Sequence, residues 1–312
     1  MKIGFNFKFP IGSLIPGQGR NFLGDEMTAN SLRRELLDLP GVTFCELFNG
    51  SPREKLDIVV YWHDNLPNKK WAKKSIFYFQ NGFNQGSDKK LFELYKNNYD
   101  GFMFVSKPLY LFHKGLGHSG AYIPTATDEK YFRPMNPVKE YMFDVAYVGN
   151  DIKGIERTMK FIYPAMKFNF GLFGNWNTKI WWTRHYRRVL KKVSQGQIPF
   201  EDLPLLYNSA RIVLNCTIQD NVNWDVITGR TYDVLACNAF LISDIVPSAV
   251  DKFYGHVVFT SGGVDLEKKI KYYLEHDDER KKISVGGRKK ILNSEIFRER
   301  AKAMLEYFRD IL

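Results

Sequence analysis

Short apolar runs alternate with helical patterns along the first hundred residues. The runs lie at residues 2–9, 42–47, 57–62, 75–79 and 101–105. They are rich in Ile, Val, Phe and Tyr and are bounded by turn residues, which is typical of strands covered on both faces of a parallel sheet. Between the first two runs, residues 25–37 place their apolar side chains on one side of a helix that Asp25 can cap. Strands that alternate with helices predict βαβ units.

The pattern breaks at residues 128–138, where two prolines stand in a polar stretch without periodicity, and this indicates a linker. A second series follows, with strands at 143–148, 169–173, 211–215, 239–243 and 256–259 and helices at 155–163, 200–208, 231–236 and 264–275. The sequence therefore predicts an α/β protein of two doubly wound, Rossmann-like domains that face each other across a cleft. The predicted domains are residues 1–138 and 139–292, and residues 293–312 form a helix that crosses back to the first domain.

Length and composition agree with two globular domains. The chain has 312 residues, 44% of them hydrophobic and 25% charged, which excludes a disordered protein. Its three cysteines are odd in number and widely spaced, so neither a disulfide framework nor a cysteine-rich metal site is expected. The chain shows neither a signal peptide nor an apolar stretch of about 18 residues, and we expect a cytoplasmic protein.

The net charge of +11 indicates an anionic partner. Residues 178–192 carry six basic side chains, no acidic ones and three aromatic rings. This composition suits an anionic membrane surface, nucleic acid or a solvated helix face with its rings in the core. The basic surface is expected to include Arg184, Arg187, Arg188, Lys191 and Lys192.

Residues 225–244 are the segment that points most directly to chemistry. Gly229 and Arg230 precede Thr231, Tyr232 and Asp233 at a predicted helix start. A helix N-terminus offers free N–H groups to an anion, and an arginine adds a forked donor for phosphate. Asp233 could accept hydrogen bonds from a ribose diol. The alternative is that Thr231 or Asp233 only caps a helix.

The run RTYDVLACNAFLISD at residues 230–244 resembles the nucleotide-sugar signature of group-1 glycosyltransferases with two Rossmann domains, the GT-B fold. It is most similar to the spore-maturation (CgeB-like) family. Residues 102–134, 143–150 and 198–215 resemble further segments of that family in the same order. The resemblance implies transfer of a sugar from a nucleotide-sugar donor to a glycan, a lipid-linked glycan or a protein, with retention of configuration. It also implies that no metal or other cofactor is needed.

The same resemblance implies roles for individual residues. Asp233 would bind the donor ribose, and Asp225 stands where many relatives carry a second acid. Lys153, Arg157 and Arg230 would stabilise the leaving diphosphate. The remaining donor-binding candidates are Gly149, Asn150, Asn215, Gly229, Thr231 and Tyr232.

Candidates on the acceptor side come from the first domain. His63 follows the strand at residues 57–62 and has the side chain most often used as a general base near neutral pH. A glycine-rich loop could bring backbone close to a ligand. The acceptor or cleft candidates are Gly12, Gly19, Arg20 and Asn81.

Two other functions stay open. Aspartate stands at both positions where relatives usually carry glutamate, and Asn150 rather than arginine follows Gly149, which favours a non-catalytic nucleotide-sugar-binding module. The basic, aromatic segment at residues 178–192 favours a phage-type DNA-modifying glycosyltransferase.

Overall fold

The computed structural model describes residues 1–15, 24–80, 98–118, 120–176 and 184–312, and in addition Lys89 and Lys96. Within this part of the chain, two six-stranded sheets are parallel throughout and carry helices. The predicted α/β fold class with two doubly wound domains is confirmed.

The first sheet has the strand order β2-β1-β3-β4-β5-β6. Its strands are β1 Lys2–Asn6, β2 Phe44–Phe48, β3 Leu56–Tyr61, β4 Ala72–Phe79, β5 Gly101–Phe104 and β6 Ala121–Tyr122. Helix α1 spans Gly24–Leu37 and α2 spans Lys107–Gly115. Ser106 caps α2, because its hydroxyl accepts a hydrogen bond from the Leu109 N–H group at 3.0 Å.

The second sheet has the order β12-β11-β10-β7-β8-β9. Its strands are β7 Val145–Val148, β8 Phe170–Phe173, β9 Ser194–Gly196, β10 Ile212–Asn215, β11 Leu241–Asp244 and β12 Val258–Thr260. Its helices are α3 Ile155–Phe161, α4 Arg184–Val193, α5 Leu203–Ser209, α6 Gln219–Asn223, α7 Gly229–Ala236, α8 Pro247–Phe253, α9 Val264–Glu275 and α10 Asp277–Ser294. Short 3₁₀ turns lie at Lys139–Tyr141, Tyr163–Lys167 and Phe200–Asp202.

Central strands of the second sheet are covered on both faces. Every residue of β7 and β10 is buried, as the apolar runs in the sequence predict. The chain changes direction across the sheet between these two strands, since β8 and β9 lie on one side of β7 and β10 to β12 on the other. Ligands of doubly wound sheets bind at the carboxyl ends of the strands at such a switch point.

Helix α11, Phe297–Ile311, packs against α1 and the first sheet. Its apolar positions recur at helical spacing, so one face is buried, with Phe297, Ala301, Met304, Leu305 and Phe308 in the core beside β1. The Tyr307 hydroxyl accepts a hydrogen bond from the Phe102 N–H group at 3.0 Å. The exact domain boundaries at residues 138 and 292 stay predictions.

Candidate functional site

A cavity of about 420 Å³ lies between the two sheets. Gly149, directly after β7, and Gly229 and Arg230, in the first turn of α7, line it from the second sheet. From the first domain it is lined by residues in or after strands and by the start of α1, namely Gly24, Asp25, Met27, Thr28, Tyr78, Gln80, Val105 and Thr125. The cavity therefore occupies the switch point that the strand order defines.

Two glycines shape the turn after β7: Gly149 in the turn itself and Gly174, which follows β8 and packs against it. The Gly149 N–H group donates to the Phe173 carbonyl oxygen at 2.9 Å. A Cβ at Gly149 would lie 2.8 Å from the Tyr147 Oη and 3.1 Å from the Arg230 Nη2, and one at Gly174 would lie 2.4 Å from the Gly149 oxygen. Only glycine lets the backbone approach these groups so closely.

Asn150 completes this turn and lines the cavity. Its side-chain oxygen accepts a hydrogen bond from the Asn175 N–H group at 2.9 Å, which ties the end of β7 to the segment after β8. The structure thus brings both predicted residues of the turn, Gly149 and Asn150, to the cavity.

Arg230 lines the cavity, and Asn215 and Tyr147 hold its guanidinium group in place. Its Nη1 donates to the Asn215 side-chain oxygen at 2.7 Å, and its guanidinium carbon lies 4.9 Å from the centre of the Tyr147 ring. The Nε atom is buried without a hydrogen-bond partner among the described residues. Asn215 is 3% exposed and does not line the cavity, so it positions Arg230 instead of meeting a ligand itself.

Lys153 lines the same cavity. Burial, and then the nearby positive charge of Arg230, lower the pKa of the Lys153 ammonium group to about 8. Two cations held together in a partly dehydrated place repel each other, and a bound anion would relieve that repulsion and raise the pKa of Lys153. The geometry suits a diphosphate.

Asp233 is the acid that the second domain contributes to the cavity, and Asp25 of α1 is another. Asp233 lies one turn after Gly229 and Arg230 on the same face of α7, is 4% exposed and accepts a hydrogen bond from the Thr127 Oγ1 at 2.7 Å. Burial raises the pKa of the Asp233 carboxyl group to about 8.

Thr231 and Tyr232 are corrections to the predicted site. Their side chains are 2% and 1% exposed and do not line this cavity. The rotation of about 100° per residue in α7 turns them into the core when Arg230 and Asp233 face the cavity. There the Tyr232 ring lies 5.6 Å from that of Phe253.

Arg157 is a second correction, because its donors are engaged elsewhere. Its Nε donates to the Thr217 carbonyl oxygen at 2.6 Å, its Nη1 to Gln219 at 3.0 Å and its Nη2 to the Asp244 carboxylate. Asp244 is fully buried at the end of β11 and requires a counter-charge. Arg157 supplies it and does not line the cavity.

Asp225 is a third correction. The backbone at Asp225 is left-handed, with φ 57°, and its carboxylate caps α8 by accepting hydrogen bonds from the Ser248 N–H group at 2.7 Å and from the Ser248 hydroxyl. This turn directs it into an adjacent cavity of about 360 Å³, which shares Val105, Thr125 and Ile227 with the first and which Tyr122, Tyr232 and Lys290 also line.

His63 lies behind the cavity wall. Its Nδ1 accepts a long hydrogen bond of 3.4 Å from the Lys8 N–H group, and its Nε2 lies 3.4 Å from the Asp25 Oδ2. The rings of Phe7 and Phe9 pack against it. The group of this pair that lines the cavity is Asp25, which the sequence predicts only as a helix cap.

Of the remaining acceptor-side candidates, Gly12 is described and does not line the cavity. The Gly12 N–H group donates to the Glu26 carboxylate at 2.6 Å, so this left-handed glycine, with φ 100°, directs the chain onto α1. Gly19, Arg20 and Asn81 lie outside the described residues.

The basic segment has an exposed face in its described part. Leu190 of α4 is fully buried in the core of the second sheet, and Arg188, Lys191 and Lys192 are exposed. The side chains of Arg184 and Arg187 are outside the described ones. In the described part of the chain, no helix combines the length and the apolar character that crossing a membrane requires.

Comparison with known proteins finds one family model and one relative. A model described as "Glycosyl transferase-like" matches residues 157–306. The spore protein CgeB of Bacillus subtilis (strain 168) is 23% identical over 214 residues, which are 64% of this chain and 65% of that protein. The match therefore spans just under two thirds of the length of that relative.

Solved structures share the fold over nearly the whole chain. Sucrose-phosphate synthase from Thermosynechococcus elongatus superposes with a TM-score of 0.72 at 12% identity, covering 99% of this chain and 98% of that one. Anabaena HepE, in complex with UDP-glucose, gives 0.72 at 11% identity, covering 99% and 100%. The resemblance found in the sequence is therefore confirmed: family match, relative and fold together support a group-1 GT-B glycosyltransferase close to the spore protein CgeB.

Proposed function

We propose that the chain transfers a sugar from a nucleotide-sugar donor bound in the cavity between the sheets. The observation that carries this proposal is the arrangement of two cations and one acid around a glycine turn: Lys153 and Arg230 beside Gly149, with Asp233 one helical turn beyond Arg230. Structures that share the fold bind such molecules, since HepE is in complex with UDP-glucose and with UDP.

The diphosphate of the donor would lie against Lys153 and Arg230 at the start of α7. As the bond to the sugar breaks, negative charge grows on the leaving diphosphate. Cations fixed in advance stabilise that charge without having to reorganise. Asn215 and Tyr147 hold the guanidinium group of Arg230 in place, which is the preorganisation that this role requires.

The ribose would lie on Asp233, whose carboxylate is turned to the cavity beside Gly229. The aspartate side chain is one methylene shorter than glutamate. The missing side chain at Gly229 lets a ligand approach the shorter carboxylate.

The acceptor would enter from the side of the first sheet, where Asp25 and Gln80 line the cavity. Asp25 pairs with His63, and Asp25 is the member of the pair that lines the cavity. The pair could orient a hydroxyl group of the acceptor. The identity of the acceptor, retention of configuration, a cytoplasmic location and contact of the basic α4 face with an anionic membrane are proposals that rest on the resemblance and on charge.

We also propose that transfer needs no divalent ion, because Lys153 and Arg230 supply the positive charge that such an ion would bring to a diphosphate. Transfer or hydrolysis of the donor should then persist unchanged in excess chelator. A rate that falls with chelator and returns with Mg²⁺ or Mn²⁺ would contradict this.

Calorimetric titration with UDP-glucose, UDP, GDP, ADP and TDP tests the donor site. We expect at least one of them to bind the wild-type protein, and Asp233→Asn to weaken that binding about tenfold or more above pH 8, where the Asp233 carboxyl group is ionised and the variant loses its charged hydrogen bond. The control is Lys282→Met on the exposed surface of α10, which should bind as the wild type does. Equal affinity in wild type and Asp233→Asn would remove Asp233 from the site.

Turnover of the bound donor separates the enzyme from its alternative. A non-catalytic module would bind the nucleotide sugar and release it intact. A glycosyltransferase would hydrolyse it slowly or transfer its sugar to an acceptor, and chromatography of the nucleotide products distinguishes the two.

A further inference from the structure

The chain passes between the two sheets twice, side by side, and Thr127 lies where the two passages touch. The first passage follows β6 and the second precedes α11. The Thr127 N–H group donates to the Glu295 carbonyl oxygen at 3.1 Å, and the Thr127 carbonyl oxygen accepts from the Phe297 N–H group at 3.0 Å. These two bonds form an isolated parallel bridge with Ile296 and fix the backbone of Thr127.

The side chain of Thr127 points toward Asp233. It is fully buried, and its Oγ1 donates to the Asp233 Oδ1 at 2.7 Å. The other carboxylate oxygen, Oδ2, is directed toward Gly229, where an added Cβ would lie 3.9 Å from it. One oxygen of Asp233 is therefore held by the crossover, and the other is turned to a residue that lines the cavity.

The crossover is in turn anchored to the first domain. Asp128 follows Thr127 and accepts hydrogen bonds from two side chains of α1, the Ser31 hydroxyl at 2.9 Å and the Arg34 Nη2 at 2.7 Å. The hydroxyl that holds Asp233 is thus fixed by contacts to α1 on one side and to the segment before α11 on the other.

We propose that Thr127 is a positioning residue for the nucleotide site, whose hydroxyl holds the Asp233 carboxylate so that Oδ2 faces the ribose of the donor. This inference rests on the proposed function and adds a residue that lies outside the nucleotide-sugar signature at residues 230–244. Thr127 does not itself line the cavity.

The charges around Asp233 make its protonation sensitive to this hydroxyl. Burial raises the pKa of the Asp233 carboxyl group to about 8, and the negative charge of Asp128 acts in the same direction. The Thr127 hydrogen bond and then the positive charge of Arg230 lower it. Tyr207 of α5 and Cys237 at the end of α7 also face Asp233, but burial raises the pKa of both, so they stay uncharged near neutral pH.

Removing the hydroxyl should therefore have two effects. The carboxylate loses its orientation, and its pKa rises further, so less of it is ionised near neutral pH. A protonated Asp233 accepts hydrogen bonds from a ribose diol less well than a carboxylate does. Donor binding should consequently recover only at a higher pH.

The test is titration of the wild type, Thr127→Val and Thr127→Ser with UDP, GDP, ADP and TDP from pH 6 to 9.5. Valine has nearly the shape of threonine and lacks the donor, and serine keeps it. We expect Thr127→Val to bind about tenfold to a hundredfold more weakly near pH 8. The ratio of the two affinities should pass through a maximum there and decline at lower pH, where Asp233 is protonated in both proteins. Serine should restore wild-type binding.

The matched control is Thr158→Val. Thr158 is also fully buried, but its Oγ1 has no hydrogen-bond partner among the described residues. We expect this variant to bind like the wild type at every pH.

Three outcomes would overturn the inference: equal binding by wild type and Thr127→Val, an affinity ratio that does not change with pH, or an equal loss in Thr127→Ser. Each of these is distinct from failure of the proposed function, in which none of the four nucleotides binds the wild-type protein.

Discussion

Three cationic side chains lie near the carboxyl ends of the strands of the second sheet, and only one of them is paired with a carboxylate among the described residues. Arg157 is bound to the fully buried carboxylate of Asp244 and to the Thr217 carbonyl oxygen. Lys153 and Arg230 have no ion pair among the described residues, and they line a cavity. Position along the chain makes all three candidates for a diphosphate. Arg157, which has a buried counter-charge, stabilises the fold, and Lys153 and Arg230, which line the cavity, are the cations we expect a ligand to contact.

The largest effect should come from breaking the pair that holds the fold. Arg157→Met removes the counter-charge of the buried Asp244 carboxylate, which keeps only its hydrogen bonds from Thr217 and Ser243, and loss of one partner of a buried ion pair typically costs about 3–5 kcal/mol. We expect the free energy of unfolding, measured by denaturant titration, to fall by that amount. The double variant Arg157→Met/Asp244→Leu should recover part of it, since apolar side chains can replace a buried pair but leave the Thr217 N–H group without its acceptor. A single variant as stable as the wild type would contradict the assignment of Arg157 to the fold.

Neutralising the other cations should affect function and leave the fold intact. Arg230→Met and Lys153→Met should each raise the barrier to donor turnover by about 2–4 kcal/mol, as removal of preorganised donors does in other enzymes. Thermal unfolding should stay close to that of the wild type. Turnover at the wild-type rate in both variants would exclude the diphosphate role.

Asp233, which lines the same cavity as these cations, should make stability depend on pH. Asp233 has a pKa of about 8 in the folded protein and an ordinary value of 3.8, so the folded state binds its proton more tightly than the unfolded chain does. Between about pH 4 and 8 this group therefore destabilises the protein as pH rises, by about 1.4 kcal/mol per pH unit.

Asp233→Asn removes that titration. Its free energy of unfolding should fall less steeply between pH 5 and 8, and the variant should be more stable than the wild type near pH 8. Parallel curves for the two proteins would mean that Asp233 is ionised throughout, with an ordinary pKa.

The smallest effect should come from the acid eight residues earlier. Asp225→Ala loses the hydrogen bonds that cap α8 at Ser248, which should cost about 0.5–2 kcal/mol of stability. Affinity for a nucleoside diphosphate should stay within about twofold of the wild type, because Asp225 lines the adjacent cavity and not the one that holds Lys153, Arg230 and Asp233. A loss as large as that of Asp233→Asn would place both acids in one site.

Sequence patterns predict the sheets well because central parallel strands are continuous apolar runs. Edge elements carry no such signal: β6 and β9 are only two and three residues long, and the sequence predicts neither from its pattern. Helices α8 and α10 are not predicted either, and the buried positions of α10, which are Arg280, Ser284, Gly287 and Ile291, give no apolar periodicity.

Some residues of the site can be predicted from local sequence and others cannot. Arg230, Asp233 and the glycine turn at Gly149 follow from local sequence, because a strand end and a helix start place them. The roles of Arg157 and Asp225 depend on partners 87 and 23 residues away, Asp244 and Ser248, and sequence alone does not pair them. Thr127 and Asp25 enter the site through long-range contacts as well. The sequence does offer one indication for Thr127, because it directly precedes Asp128 in the segment at residues 102–134 that resembles the family.

Helix α11 also sets the order in which the protein can fold during synthesis. The core beside β1 is incomplete until Phe297, Met304 and Phe308 have left the ribosome. At roughly 5–20 residues per second, the second domain would be translated in about 10–30 s, and for that time the first domain would expose an apolar surface. The first domain is thus synthesised first, but its core is completed last. A fragment that ends before α11 should therefore depend on chaperones to stay in solution.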